Sequence, residues 1–232
     1  MTHPLLEPLR GGLIVSCQAY PGEPMRHPET MAQVAAAAVA GGGVAVRVQG
    51  LADISLVSGR VPVPVIGIWK DGETGVFITP TLRHCREVLA AGADILALDG
   101  TLRERPDGLT LAETIRAIRA ESDAPIMADC DTLDAALAAA EAGVEIIGTT
   151  LAGYTPARAK TDGPDLELLA QLVQALPEVA VVAEGRIHTP AQARAAAETG
   201  AFAVAVGTAI THPTTITGWF DAAVRVDAQR EC

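Results

Sequence analysis

The sequence predicts a (β/α)8 barrel in which residues 1–232 form one domain, and three observations carry that prediction. Short apolar runs alternate with helix-like segments, as parallel strands covered on both faces must. Their entries alternate as well: Gly42, Gly92, Gly143 and Gly200 precede the even-numbered strands, while Pro64, Pro125 and Pro177 precede the third, fifth and seventh. Those glycines recur at spacings of 50, 51 and 57 residues, each covering two strand and helix units. A doubly wound open sheet is the alternative, disfavoured because no GxGxxG turn follows the first strand.

The elements follow in order. Gly12 to Cys17 is the first strand and ends at Gln18; a loop containing Pro and Gly leads to a helix from Glu29 to Ala40, stopped by Gly41-Gly42-Gly43. Val44 to Val48 is the second strand, with Arg47 inside an otherwise apolar run. The third, VIGIWK, ends at Lys70, and Thr79-Pro80 opens a helix that closes at Gly92. Asp94 to Leu98 ends at Asp99, IMAD ends at Asp129, and a helix from Thr132 to Ala142 closes at Gly143. The sixth strand, Val144 to Ile147, ends near Thr149-Thr150, ahead of a long loop through Tyr154 and Lys160. A helix from Asp165 to Leu176 precedes the seventh strand, which ends at Glu184. The next helix has the fullest signals, with Thr189 as cap, Pro190 at the first position, Gln192 completing a capping box and Gly200 as stop. Phe202 to Val206 is the eighth strand and ends at Gly207-Thr208. The last segment, Ile216 to Val226 with Trp219 and Phe220, is expected to close the barrel floor or to meet a second subunit in a homodimer.

Composition narrows the function. A formal net charge of −11 and the lack of a basic stripe argue against nucleic-acid binding. Cys17, Cys85, Cys130 and Cys232 form no CxxC pair, which fits a reducing cytoplasm and neither a zinc site nor a disulfide framework. No leader pattern and no apolar run near the ~20 residues of a membrane span is present. His27, His84, His188 and His212 make no HxH or HExxH arrangement, so they read as surface or loop histidines, and neither a metal nor a cofactor is expected. Cys17 and Cys130 read as small apolar packing groups, and Trp69 as packing or as a drying group beside Lys70.

Chemistry gathers at the strand ends, where a (β/α)8 barrel keeps its active site. Gln18, Arg47, Lys70, Asp99, Asp129, Thr149, Glu184 and Gly207-Thr208 should converge there. Lys70 and Glu184 each follow an apolar run, on the third and seventh strands, which face each other in an eight-fold ring roughly 15 Å across. Their side chains would leave on the order of 5 Å between them, room for one carbon and its hydrogen. A base on one face and an acid on the other invert a stereocentre whose hydrogen is acidified by a carbonyl, as at C2 of an open-chain aldose. Arg47 would disfavour the charged form of Lys70 and, with Gln18, hold a developing enolate oxygen. Backbone N–H groups at Gly185 and Gly207-Thr208 would receive a sugar phosphate, with Arg186 beside them as a further phosphate contact.

The segments GGLIVSCQAYPGEP, VIGIWK, ITPT, AGADILALDGT with RERPDG, MADCDT, GTTLAGYT, VVAEGRIHTPAQA and VGTAIT together resemble the N-acetylmannosamine-6-phosphate 2-epimerase family over almost the whole chain. The resemblance implies a (β/α)8 barrel of the ribulose-phosphate-binding type and interconversion of N-acetylmannosamine 6-phosphate with N-acetylglucosamine 6-phosphate. It implies Lys70 and Glu184 as the proton-transfer pair and Gln18, Arg47 and Asp129 as contacts to an amino-sugar phosphate. It further implies Gly185, Gly207 and Thr208 as the phosphate cradle. Where that family carries an arginine after AIT, this chain has His212. A phosphosugar-binding barrel without turnover and another phosphate-binding barrel isomerase are the alternatives; only catalysis requires an acid and a base across one carbon.

Overall fold

The computed structural model describes residues 3–228; Cys232 lies outside them. Eight strands close into a parallel barrel in sequence order: β1 (Leu13–Cys17), β2 (Ala45–Gln49), β3 (Val65–Ile68), β4 (Ile95–Asp99), β5 (Ile126–Asp129), β6 (Ile146–Gly148), β7 (Ala180–Glu184) and β8 (Ala203–Val206), with β8 pairing back onto β1. The outer helices are α1 (Pro28–Ala40), α2 (Leu51–Ser58), α3 (Leu82–Ala90), α4 (Leu111–Arg119), α5 (Leu133–Glu141), α6 (Leu166–Ala175) and α7 (Pro190–Glu198); a short α8 (Thr208–Thr211) and α9 (Pro213–Ala228) follow β8.

Alternation along each strand divides the apolar residues into two layers. Val46, Val48, Leu96, Leu98, Val181 and Ala183 pack outward against the helices. Ile14, Ala45, Ile66, Ile68, Met127, Ala180 and Val182 fill the barrel interior. The same parity, continued to the strand ends, aims Gln18, Arg47, Lys70, Asp129 and Glu184 inward. Cys17 and Cys130 have the outward parity and pack in the apolar layer, where burial pushes the Cys17 thiol up to about 12. Trp69 also packs toward that layer, its ring 4.3 Å from the His84 ring and beneath the Arg83 guanidinium.

Three local expectations require correction. The barrel floor is closed by the N-terminal turn, whose Leu6 and Leu9 are buried among the interior residues, and not by the last segment. α9 leaves Trp219, Phe220 and Val224 exposed. The helix after β3 is capped by Thr81, two residues beyond the expected start, because Thr79 has φ 46° and gives its carbonyl to Arg105. His84 is buried, bonded to Thr81 and Asp71, rather than on the surface. At α7 the expected cap and capping box are both formed.

Gly67 shows how closely helices and barrel meet. A Cβ there would lie 2.6 Å from Ala93 Cβ, 2.8 Å from Val88 Cγ1 and 3.1 Å from Ile54 Cδ1. Gly67→Ala is therefore expected to destabilise the fold by ~1–3 kcal/mol through overpacking, read as a lower urea midpoint at unchanged slope.

Candidate active site

A cavity of about 890 Å³ opens at the carboxyl ends of the strands. Of the eleven residues expected at the strand ends, it is lined by Gln18, Arg47, Lys70, Glu184, Gly185, Arg186, Gly207 and Thr208. Asp99 and Thr149 are buried outside it, Asp99 bonded to Thr101 and Arg103 and Thr149 to the Glu184 carbonyl. Asp129 does not line it. That carboxylate is fully buried beneath the cavity floor, against Arg47.

Arg47 organises the floor. Its Nη1 and Nη2 both donate to Asp129, Nη1 at 2.9 Å, and Nη1 also donates to Glu184 Oε2 at 2.6 Å. Burial opposes the charge of Arg47, yet the two carboxylates outweigh it and hold the guanidinium firmly protonated. One cation thus serves two carboxylates, and the planar fork gives its bidentate face to Asp129. Thr150, not singled out from the sequence, joins them with Oγ1 2.8 Å from Asp129 Oδ1 and 3.0 Å from Glu184 Oε2. A hydroxyl has one proton to give, so donation to Asp129 leaves its lone pairs free to accept from a protonated Glu184.

Glu184 is 11% exposed. Burial raises its pKa above the ordinary carboxylate value, against the pull of Arg47 and with the help of Asp129. Lys70 lies two residues beyond β3, tied to Ile78 by an isolated antiparallel bridge. Burial, then the neighbouring Arg47, lower its pKa to about 8, partly offset by Glu184 and Asp129. Its Nζ donates to Gln18 Oε1 at 2.8 Å and faces the Tyr20 ring at 5.3 Å; among the described residues it makes no ion pair. Two groups that are ordinarily far apart in proton affinity are therefore brought together, one pushed up and the other down.

At the β7 and β8 ends, Gly185 has φ 109°, a conformation glycine adopts at little cost, and leaves its backbone unobstructed. Gly207 is the residue before α8, and exposed Thr208 begins that helix. Arg186 spends three of its N–H groups on the β6–α6 loop, donating to Ala152 O, Gly163 O and Thr161 Oγ1 at 2.7, 3.1 and 2.9 Å. Its main contact is thus with the loop. His212 also lines the cavity, bonded to Glu23 and Thr215. Among the described residues no cluster of three or more His, Cys, Asp or Glu is placed to hold a metal ion, and no helix is long and apolar enough to cross a membrane.

Comparison with known proteins gives this geometry a family. The model of the NanE family, described as "Putative N-acetylmannosamine-6-phosphate epimerase", matches residues 31–226. A relative from Cutibacterium acnes named "Putative N-acetylmannosamine-6-phosphate 2-epimerase" is 64% identical over 225 residues, covering 97% of this chain and 98% of its own. One of the same name from Synechococcus elongatus is 46% identical over 209 residues, covering 89% and 90%. The solved N-acetylmannosamine-6-phosphate 2-epimerase from Clostridium perfringens superposes with a TM-score of 0.91 at 38% identity, over 95% of this chain and 96% of that one. With a closed eight-strand barrel, inward strand-end residues and a match spanning most of its length, the chain belongs to the NanE family of N-acetylmannosamine-6-phosphate epimerases.

Proposed function

We propose that this protein, one barrel domain, interconverts N-acetylmannosamine 6-phosphate and N-acetylglucosamine 6-phosphate by inverting C2 through two-base proton transfer. In class terms it is an N-acylglucosamine-6-phosphate 2-epimerase of amino-sugar and sialic-acid catabolism. The observation that carries the reading is the pairing of Lys70 with Glu184. They extend from β3 and β7, four strands apart in a ring of eight, into one cavity, with proton affinities shifted toward each other.

Neutral Lys70 removes the C2 hydrogen acidified by the open-chain aldehyde, and protonated Glu184 returns a proton to the opposite face; the reverse reaction exchanges the roles. Gln18 and Arg47 donate toward the enolate oxygen, and Asp129, which does not line the cavity, holds the Arg47 fork in place. Gly185, Gly207 and Thr208 receive the phosphate, with Arg186 bracing the loop beside them. Exposed Trp219, Phe220 and Val224 on α9 suit a homodimer, and the buried free thiols Cys17, Cys85 and Cys130 suit a reducing cytoplasm. A sedimentation mass of two chains is the expected result for the first.

The active pair shares one proton. Below the Glu184 pKa the pair holds two, and above the Lys70 pKa it holds none, so kcat/KM is expected to be bell-shaped with its alkaline limb near 8. The acid limb also carries the substrate phosphate, whose second pKa is about 6, so the alkaline limb is the diagnostic one. The direct test is to incubate the protein with N-acetylmannosamine 6-phosphate in heavy water and follow C2 by NMR. The expected product carries deuterium at C2; neither product nor deuterium would indicate a barrel that binds without turnover.

A further inference from the structure

We propose that Glu23 and His212 form a clasp that fixes the β1–α1 loop at the cavity mouth and seats the Tyr20 ring against Lys70, making both positioning residues for the proton-transfer lysine. The inference rests on the role of Lys70 given above, and its test separates the two.

The clasp is built from consecutive contacts. The backbone N–H of Tyr20 donates to Glu23 Oε2 at 2.7 Å, and Glu23 Oε1 lies 2.5 Å from His212 Nε2. A carboxylate accepts, so Nε2 carries the proton; Nδ1, 2.6 Å from Thr215 Oγ1, is oriented by that hydroxyl. The Tyr20 and His212 rings meet edge to face, centroids 5.7 Å apart at 70°. Gln18, at the root of the same loop, accepts from Lys70 Nζ and donates to Ser16 Oγ at 2.7 Å. At the far end of the loop Arg26 pairs with buried Asp53 at 2.7 Å. The loop is therefore tied at its root, at its end and, through Glu23, to the neighbouring rim after β8.

Tyr20 is 54% exposed and stands on the solvent side of Lys70. Its ring face favours an ammonium, while the water it excludes disfavours one. At an exposed ring the first effect is about 0.5–1 kcal/mol, whereas loss of water is the largest cause of the lowering of Lys70 from 10.5 to about 8, so exclusion of water prevails. Lys70 also feels Arg47, Glu184 and Asp129, and shares the cavity with Arg26, Asp71 and Glu73. None of these changes in the variants below.

The chain has two lysines, Lys70 and Lys160, so ¹³Cε titration of the whole protein gives two curves, assigned with Lys70→Arg. Wild type should show Lys70 near 8. In Glu23→Ala and in Tyr20→Ala it should move up toward the free-lysine value by about a factor of ten in acid strength, whereas Tyr20→Phe stays with wild type and Glu23→Gln falls between. Loss of the Glu23 negative charge would by itself lower the lysine's proton affinity, opposite in sign to the expected change, so it does not mimic release of the clasp. An unchanged or lowered Lys70 titration in folded Glu23→Ala overturns the proposal. Titration needs no turnover: a Lys70 shift in a protein that fails to epimerise keeps the clasp and removes the catalytic reading, and the reverse combination does the opposite.

Discussion

Lys70→Ala is expected to lower epimerisation by about 10⁴-fold, the upper end of what one proton-transfer group contributes. No base in contact with the lysine replaces it, Glu73 being an exposed loop residue that makes no hydrogen bond to it. Gln18 and Tyr20 are its contacts, Asp71 is bonded to His84, and Glu184 belongs to the opposite strand. Removing the side chain also removes a buried cation with no ion-pair partner, so the fold should not suffer. Thermal unfolding of Lys70→Ala is expected to match wild type while inversion stops, and with it solvent-deuterium exchange at C2 of the epimer whose hydrogen faces Lys70. Activity within about tenfold of wild type would remove this lysine from the mechanism.

The second large effect falls on stability. Arg47→Met is expected to destabilise the barrel by about 3–5 kcal/mol, because Asp129 and Glu184 lose the cation that they share in a site from which water is excluded. Both must then gain protons or face each other as like charges. The sign with pH follows from Glu184, whose folded-state pKa is already raised in wild type. A group raised on folding contributes stability below its unfolded value and loses that contribution as pH rises through the folded one. Removing Arg47 raises Glu184 further, so the variant's deficit should be smaller near pH 5 than near pH 8 in urea melts. Arg47→Met with Asp129→Leu should recover part of the loss, since no isolated carboxylate then remains at Asp129.

The barrel was legible because parallel strands buried on two faces must be short and apolar, and because glycine and proline punctuated them. The inward set at the mouth was legible for a related reason: Arg47, Lys70 and Glu184 interrupt or end runs that otherwise hold no charge. α4 carried a signal of its own, the capping box of Thr110 with Glu113, that would have located it. α2 carried none; it begins after Gly50 with no side-chain cap. The floor formed by Leu6 and Leu9 depends on contacts remote in sequence, which no local pattern reports. Asp129 shares the inward parity of Lys70 yet does not reach the cavity, because the Arg47 guanidinium reaches over from β2 and covers it, a contact between residues remote in sequence. Thr150 joins the ends of β5 and β7 across β6, and the Glu23–His212 contact joins loops that barrel closure brings together; neither leaves a local pattern in the sequence.

Glu184→Gln in heavy water, with the configuration and label at C2 read by NMR for each epimer, tests the opposed pair most directly. Lys70 alone should still remove and return hydrogen on its own face, so one epimer is recovered with deuterium at C2 and no inverted sugar forms. Inverted product appearing at the wild-type rate would contradict a mechanism in which Glu184 serves the opposite face.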